Sequence, residues 1–317
     1  MWQGRQHAAL KEELEALIEP LAANNNLYTL IQESLIQEKR YQATGATNPQ
    51  NWPLLPLIVC EAISGQYRHA LPAAAALHLL KISAEIFDDV EDADSYRSLS
   101  SRYGNPIAVN VATTFLILSE KAIARLKTKD VADYIVIRVI DAISSYFTVA
   151  CAGQHLDLSA GPGTVISEED YMNITAMKSA STTECACCVG ALLATENQQL
   201  IDKFAELGSN LGISSQIAND IQGITRGNDI TKRKITLPVI YALNQTSDEI
   251  RDHFKFAFLD PAEPEFNATE IRDLLFSTGA IQYALVKMEC FKQIALNCLL
   301  DIEKMGTNVE RLKPLLD

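Results

Sequence analysis

Acidic side chains are concentrated in one short stretch, Phe87-Asp-Asp-Val-Glu-Asp-Ala-Asp94, at the end of a long apolar segment. Asp88 and Asp92 stand four residues apart, which on a helix sets both carboxylates on one face; Asp89 lies one step round and can join or orient them. Like charges this close repel, and negative charge near a helix C-terminus is disfavoured by the macrodipole. Such a cluster is costly unless cations fill it. Hard oxygen ligands in an open arrangement suit Mg²⁺, which shares its shell between carboxylates, waters and substrate phosphates. Taken alone, the cluster reads equally well as a solvated acidic helix end. Its weight comes from what accompanies it.

A second polar stripe interrupts the apolar segment Leu211-Gly-Ile-Ser-Ser-Gln-Ile-Ala-Asn-Asp-Ile-Gln222, where Gln216, Asn219 and Asp220 stand at i, i+3 and i+4. Polar groups on one stripe of a buried helix need partners, and a metal–diphosphate cluster would supply them. Soon after comes Arg226-Gly-Asn-Asp-Ile-Thr-Lys-Arg-Lys-Ile-Thr-Leu-Pro238, a concentrated basic run in an acidic chain. By itself it is ordinary loop composition. Beside a metal site, Lys232 and Lys234 could hold phosphate oxygens as point charges, and Arg226 or Arg233 as forks.

The elements that must position these groups are helical. Leu71–Ile86 is rich in strong helix formers, with Pro72 near its start. Similar periodicity covers about 107–126, 130–152, 168–195, 198–223, 234–244 and 279–303. No series of alternating strands bounded by turn residues is present. Breaks at Asn48-Pro-Gln-Asn-Trp-Pro53, Ser101-Arg-Tyr-Gly-Asn-Pro106, Ala160-Gly-Pro-Gly163 and Asp260-Pro-Ala-Glu-Pro264 are loop punctuation, too short for interdomain linkers. The helices are apolar around much of their circumference, as expected when many pack about one centre. The expectation is an all-α fold, a single domain over residues 1–317 built as a helical bundle with a central apolar cavity.

Bulk properties narrow the function. A net charge of -13 excludes nucleic acid as the main partner, because a phosphate backbone demands a basic surface. An anionic substrate stays admissible if bound cations reverse the sign locally. The seven cysteines are odd in number, and Cys185, Cys187 and Cys188 lie in an apolar run without metal-ligand spacing, so buried reduced thiols are expected. No apolar run reaches the roughly 18 residues that span a bilayer, and the N-terminus shows no secretory pattern, which predicts a cytoplasmic protein without stable membrane insertion.

Five motifs in order carry a resemblance: Phe-Asp-Asp-Val-Glu-Asp, then Gly153-Gln-His-Leu-Asp157, then Lys178-Ser, Gln216-Ile-Ala-Asn-Asp220 and Lys234-Ile-Thr-Leu-Pro238. Over about residues 50–300 the chain resembles the trans-isoprenyl diphosphate synthase superfamily. That resemblance implies helices around a deep cavity and three Mg²⁺ ions held with a substrate diphosphate between two aspartate-rich helices. It gives Asp88, Asp92 and Asp220 as metal ligands, with Asp89 beside them and Asn219 at the altered second motif. Lys178 and Lys234 correspond to diphosphate-binding lysines, and Gln154 and Asp157 to the Gly-Gln-x-x-Asp segment.

The departures shape the functional expectation. Elongating members hold a second diphosphate with a Gly-Gly-Lys-Arg-x-Arg-Pro segment and an Arg-Arg pair. This chain has Thr47-Asn-Pro-Gln-Asn-Trp-Pro53 in the first place, and Arg97 and Arg102 apart from one another in the second. Asn219-Asp-Ile-Gln-Gly223 has Gly where the family carries its last aspartate. An enzyme that keeps the ionising site and loses the co-substrate site is expected to be a class I terpene synthase. It would be a carbon–oxygen lyase similar to prenyl-synthase-like bacterial diterpene synthases, such as those that release kolavelool. Ala84 and Ser83, four and five residues before Asp88, are small and leave room for a diterpene-sized tail, linear or bicyclic. Among partners, a homodimer and an upstream class II cyclase stay open. So do three rival readings: a peptide-modifying prenyltransferase, an elongating synthase with a relocated cation site, and a regulatory subunit of a prenyl synthase.

Overall fold

The computed structural model describes residues 2–42, 49–91, 98–160, 164, 166–259 and 266–316. Every regular element among the described residues is helical. The N-terminal layer comprises α1 (Trp2–Ile18), α2 (Asn25–Gln42) and α3 (Leu55–Ser64). It leads into the long α4 (Leu71–Glu91), the short α5 (Leu99–Tyr103), α6 (Asn105–Ala124) and α7 (Asp133–Ala160). Next come α8 (Glu168–Thr175), a π-helical turn at Ala176–Ala180, α9 (Ser181–Leu192) and α10 (Gln198–Arg226). The chain closes with α11 (Asn228–Thr231), α12 (Leu237–Gln245), α13 (Asp248–Leu259), α14 (Ala268–Ser277) and α15 (Ala280–Lys304).

Local chemistry accounts for many of these boundaries. Pro56 and Pro72 sit in the first turns of α3 and α4, where no intrahelical amide is needed. Ser167 and Asp170 form a reciprocal capping box at the start of α8. Asn197 caps α10 by accepting from the Leu200 amide. The segment expected as one helix over 168–195 is interrupted by the π turn, an irregularity that leaves no trace in apolar periodicity.

Helix α4 runs through the middle. Ala73, Ala74, Ala75 and Ala76 are wholly buried, and their small side chains let α6 and the N-terminal layer approach closely. A large apolar cluster joins α1, α3, α4, α6, α9 and the first half of α10, while a second gathers α12, α13 and α14 around Phe254 and Phe258. Cys185, Cys187 and Cys188 are buried on α9 as expected, and burial pushes their thiols up.

One expectation is corrected here. The segments Arg68–Glu91, Asn105–Lys129 and Asp133–Ala160 are each long and apolar enough to cross a membrane by length and composition. A few interspersed charges had hidden this from a search for unbroken apolar runs. Packing separates the three: the apolar window is 72% buried in the first, 44% in the second and only 22% in the third. Apolar side chains accordingly stand exposed on both helices, Ile117 on α6 and Ile137, Ile140 and Val149 on α7.

Candidate active site

The C-terminal turns of α4, the middle of α7, the π turn and α10 surround a cavity of about 1040 Å³. Its wall is apolar over Leu80, Ala84, Phe87, Leu116, Phe147 and Leu211. Its rim carries Asp88, Glu91, Gln154, Lys178, Gln216 and Asn219.

Lys178 is the hinge of the rim. Its Nζ donates to Asp157 Oδ2 at 2.6 Å and pairs with Asp88 Oδ1 at 3.2 Å, so one cation ties α7 to α4. Burial alone would lower its proton affinity; the two carboxylates more than offset that, and its pKa lies above the ordinary lysine value. The position depends on Gly153 of α7. A β-carbon there would stand 2.4 Å from the Lys178 amide nitrogen and 2.7 Å from Met177 Cβ. Only a missing side chain lets the π turn lie against α7. One residue on, Gln154 Nε2 donates to Glu91 Oε2 at 2.9 Å, a second tie between α7 and α4.

Across the cavity, Asp220 is buried at 6% exposure. Tyr171 Oη donates to its Oδ2 at 2.6 Å and Gln216 Nε2 to its Oδ1 at 2.8 Å. Gln216 Oε1 in turn accepts from Ser179 Oγ at 2.8 Å. This chain of hydrogen bonds connects α8, the π turn and α10. Burial pushes the Asp220 carboxyl up to about 6, although Tyr171 and Gln216 pull against the shift. Asn219 is exposed to the cavity.

The remaining expected residues are distributed unevenly. Asp89 is half-buried at the end of α4, while Asp92 lies outside the described residues. Ala84 is exposed on the cavity wall. Ser83 also borders the cavity, but it is buried and donates to the Ala112 carbonyl of α6 at 2.9 Å. It belongs to the α4–α6 seam as much as to the cavity. Arg226, Lys232 and Lys234 do not line the cavity; Lys234 acts on Asp220 through its charge. Arg233, at positive φ of 55°, stacks its guanidinium over Phe266.

Tyr171 had no signal in the sequence, and Ser179 and Glu91, although they stand inside the quoted motifs, had none for their pairings with Gln216 and Gln154. At the opposite end of the cavity the sequence singles out the segment containing Trp52, but not its partners. There Trp52 Nε1 donates to Thr183 Oγ1 at 3.3 Å, and Lys81 Nζ lies 5.4 Å from the Trp52 ring centre while pairing with Glu85. Seven residues separate Lys81 from Asp88, about 10 Å along the helix axis.

Whether the rim suits a divalent cation can be judged from its donors. They are hard oxygens on opposing helices: Gln154 Oε1 is buried without a hydrogen bond among the described residues, and Asp88 Oδ1 has the Lys178 ammonium at 3.2 Å as its neighbour. An acceptor left in the state of Gln154 Oε1 suits a cation or its bound waters. No three acidic, His or Cys side chains converge on one point among the described residues, which do not include Asp92.

Facing acidic stripes over an apolar, all-helical cavity define an isoprenoid-synthase-type enzyme. Residues 37–269 match the polyprenyl synthetase family, and the chain belongs to it. It is 27% identical over 248 residues to a geranylgeranyl diphosphate synthase of Mycobacterium tuberculosis, covering 75% of this chain and 70% of that relative. It is 29% identical over 212 residues to a tryptophan prenyltransferase, ComQ, of Bacillus subtilis subsp. natto, covering 66% of this chain and 63% of the relative. In fold, it is similar to a geranylgeranyl pyrophosphate synthetase from Pyrococcus horikoshii, with TM-score 0.79, 23% identity, and 93% and 89% of the two chains covered. It is likewise similar to a polyprenyl synthase from Caulobacter crescentus complexed with calcium and isoprenyl diphosphate, with TM-score 0.75, 18% identity, and 96% and 94% covered.

These relatives correct the expected lyase activity, the kolavelool type included. They are named for prenyl transfer rather than for release of a terpene. A departure from the Gly-Gly-Lys-Arg-x-Arg-Pro pattern does not by itself make water the acceptor.

Two measurements test this site. Gly153→Ala forces α7 and the π turn apart, with an expected overpacking cost of about 1–3 kcal/mol in urea unfolding. Because it moves Lys178, it should lower turnover by up to about a hundredfold. Gly4→Ala, where a β-carbon meets nothing within 4 Å, should change neither. The second concerns pH. The carboxyl of Asp220 rises from 3.8 to about 6 on folding, so the folded state binds its proton more tightly. The metal-free protein should therefore lose stability relative to Asp220→Asn as pH rises from about 4 through 6. A melting-temperature difference between the two that stays constant between pH 4 and pH 7 would contradict the assignment.

Proposed function

We propose that the protein is a Mg²⁺-dependent prenyltransferase that takes an allylic isoprenoid diphosphate as donor and passes its prenyl group to an acceptor without a diphosphate. The observation that carries this reading is the contrast between the two ends of the cavity. The rim has oxygen donors on facing helices and a clamped lysine, suited to a metal-bound diphosphate. The far corner offers an indole, one lysine and that lysine's own carboxylate partner, a near-neutral set unsuited to a dianion. A flat aromatic nucleophile such as an indole side chain of a peptide fits that corner, and the likeness to ComQ supports it.

In this scheme Asp88, Asp92, Asn219 and Asp220 hold the ions, with Asp89 beside them. Bound Mg²⁺ supplies charge stabilisation to the departing diphosphate. Lys178 donates to the leaving oxygens once substrate draws it from Asp88, while Asp157 keeps it in place. Gln154 and Gln216 fix waters and phosphate oxygens at the rim. Arg226, Lys232 and Lys234 close over the diphosphate from the loop after α10. The apolar wall excludes water while the C–O bond breaks, so that the acceptor is the first nucleophile the carbon meets. The prenyl tail runs past Ala84. Residues 1–317 act as one catalytic domain in the cytoplasm.

A second reading is elongation with isopentenyl diphosphate. Lys81, a cation inside the far corner, favours it, as do the several geranylgeranyl diphosphate synthases among the relatives.

The deciding assay supplies geranyl, farnesyl and geranylgeranyl diphosphates with Mg²⁺, together with either a tryptophan-containing peptide or isopentenyl diphosphate. Mass spectrometry should find prenylated peptide and no lengthened diphosphate; a lengthened chain alone establishes the second reading. In the same assay Ala84→Phe should reduce use of the longest donor more than the shortest. Ser83→Phe, at the α4–α6 seam, should instead lose stability by about 1–3 kcal/mol and reduce all donors together.

A second copy of the chain is the proposed cover for the apolar face of α6 and α7. Ile117 and Ile137, 58% and 65% exposed, sit on it. Sedimentation should find a dimer that the Ile117→Glu/Ile137→Glu variant dissociates, whereas a monomeric wild type removes this proposal.

A further inference from the structure

Helix α10 carries Asn219 on the cavity rim and Asp220 buried beside it, and the residue one turn on from both is position 223, three beyond Asp220 and four beyond Asn219. That residue is Gly223. Its site is not vacant. A β-carbon built on Gly223 would lie 1.8 Å from Asp229 Oδ2 and 2.4 Å from Asp229 Cγ. The Asp229 carboxylate thus occupies the place where a side chain at 223 would begin.

The backbone explains how it arrives there. Helix α10 ends at Gly227, whose φ of +83° reverses the chain in a left-handed conformation. The single turn α11 then folds back along the helix it has just left. Ile230 is wholly buried and anchors that turn, and the Lys234 amide donates to the Asp229 carbonyl at 2.9 Å. Asp229 is therefore delivered by fixed backbone. Its charge is felt at Asp220, whose proton affinity it raises. Two carboxylates sharing one partly buried stripe repel each other unless a cation stands between or before them.

We propose that Asp229 supplies, from the turn that follows α10, the oxygen-donor position that position 223 of the helix does not provide, so that the metal face of α10 is Asn219, Asp220 and Asp229. The proposal rests on the metal-dependent reading given above. It makes Gly223 a requirement of the site, because a side chain there and the Asp229 carboxylate exclude one another.

The test measures ion binding directly. Mn²⁺ is titrated into protein with inorganic diphosphate, and bound ions are counted by electron paramagnetic resonance, with circular dichroism verifying each fold. Asp229→Asn, which keeps the shape of the side chain, should lose one bound ion or bind it at least about tenfold more weakly, a difference of about 1.4 kcal/mol. Gly223→Asp alone should bind as poorly, since its side chain collides with Asp229. The double variant Gly223→Asp/Asp229→Gly moves the carboxylate onto the helix and should regain the lost ion. Asp88→Ala serves as the reference for the opposite face. Unchanged binding by Asp229→Asn while Asp88→Ala weakens it overturns this proposal and leaves the metal-dependent reading standing. A double variant no better than either single also overturns it. A wild type that binds no Mn²⁺ with diphosphate overturns both.

Discussion

The site depends on one lysine held between two helices. Lys178 reaches Asp157 on α7 and Asp88 on α4 from a π turn that could not lie where it does if residue 153 had a side chain. A helix with an inserted residue is under strain in its hydrogen-bond ladder, and such turns persist where packing and polar contacts over-determine them. Here both are present. Gly153 removes the steric obstacle, and on the far side of the turn Ser179 donates to Gln216. The two halves of the rim are thus joined through a single irregular turn, Lys178 facing one acidic helix and Ser179 the other.

This arrangement also answers a charge problem. A chain of net charge -13 must gather cations to bind a diphosphate, and it concentrates carboxylates to do so. Without ions, those carboxylates must be kept apart or neutralised. On α4 the counter-charge is Lys178, while on α10 Asp220 is buried, hydrogen-bonded twice and pushed toward its neutral form. The two faces manage repulsion differently. One holds a cation shared between two carboxylates; the other is a buried, proton-linked acceptor.

The sequence made much of this legible because helical spacing is a local property. Asp88, Gln216 and Asn219 line the cavity and Asp220 is buried beside it against Tyr171, while α4 and α10 end within a few residues of the expected limits. The contacts that orient those groups were not legible. Tyr171 meets Asp220 across 49 positions and Gln154 meets Glu91 across 63, and no periodicity records such pairings. The π turn was missed for a related reason, since one extra residue in a ladder does not disturb apolar spacing enough to be noticed. Gly223 shows the limit most clearly. It reads as a missing ligand along the helix, whereas in three dimensions its place is taken by Asp229 from six residues further on.

The same distinction governs the acceptor end of the cavity. A lost cation motif is a statement about one ligand, and it leaves open every other ligand the remaining wall can hold. Trp52, tied to Thr183 and overlain by Lys81, is a built surface; the lysine's charge is shared with Glu85 beside it. An ion pair of this kind presents less field to an incoming dianion than a free cation would, because the carboxylate repels what the ammonium attracts. An aromatic nucleophile meets no such opposition. It can stack on the indole, and the ammonium favours its electron-rich face. Between Lys81 and Asp88 the cavity side of α4 carries Ser83, Ala84, Glu85 and Phe87, so the two ends share one continuous wall that is small and apolar except at Ser83 and Glu85.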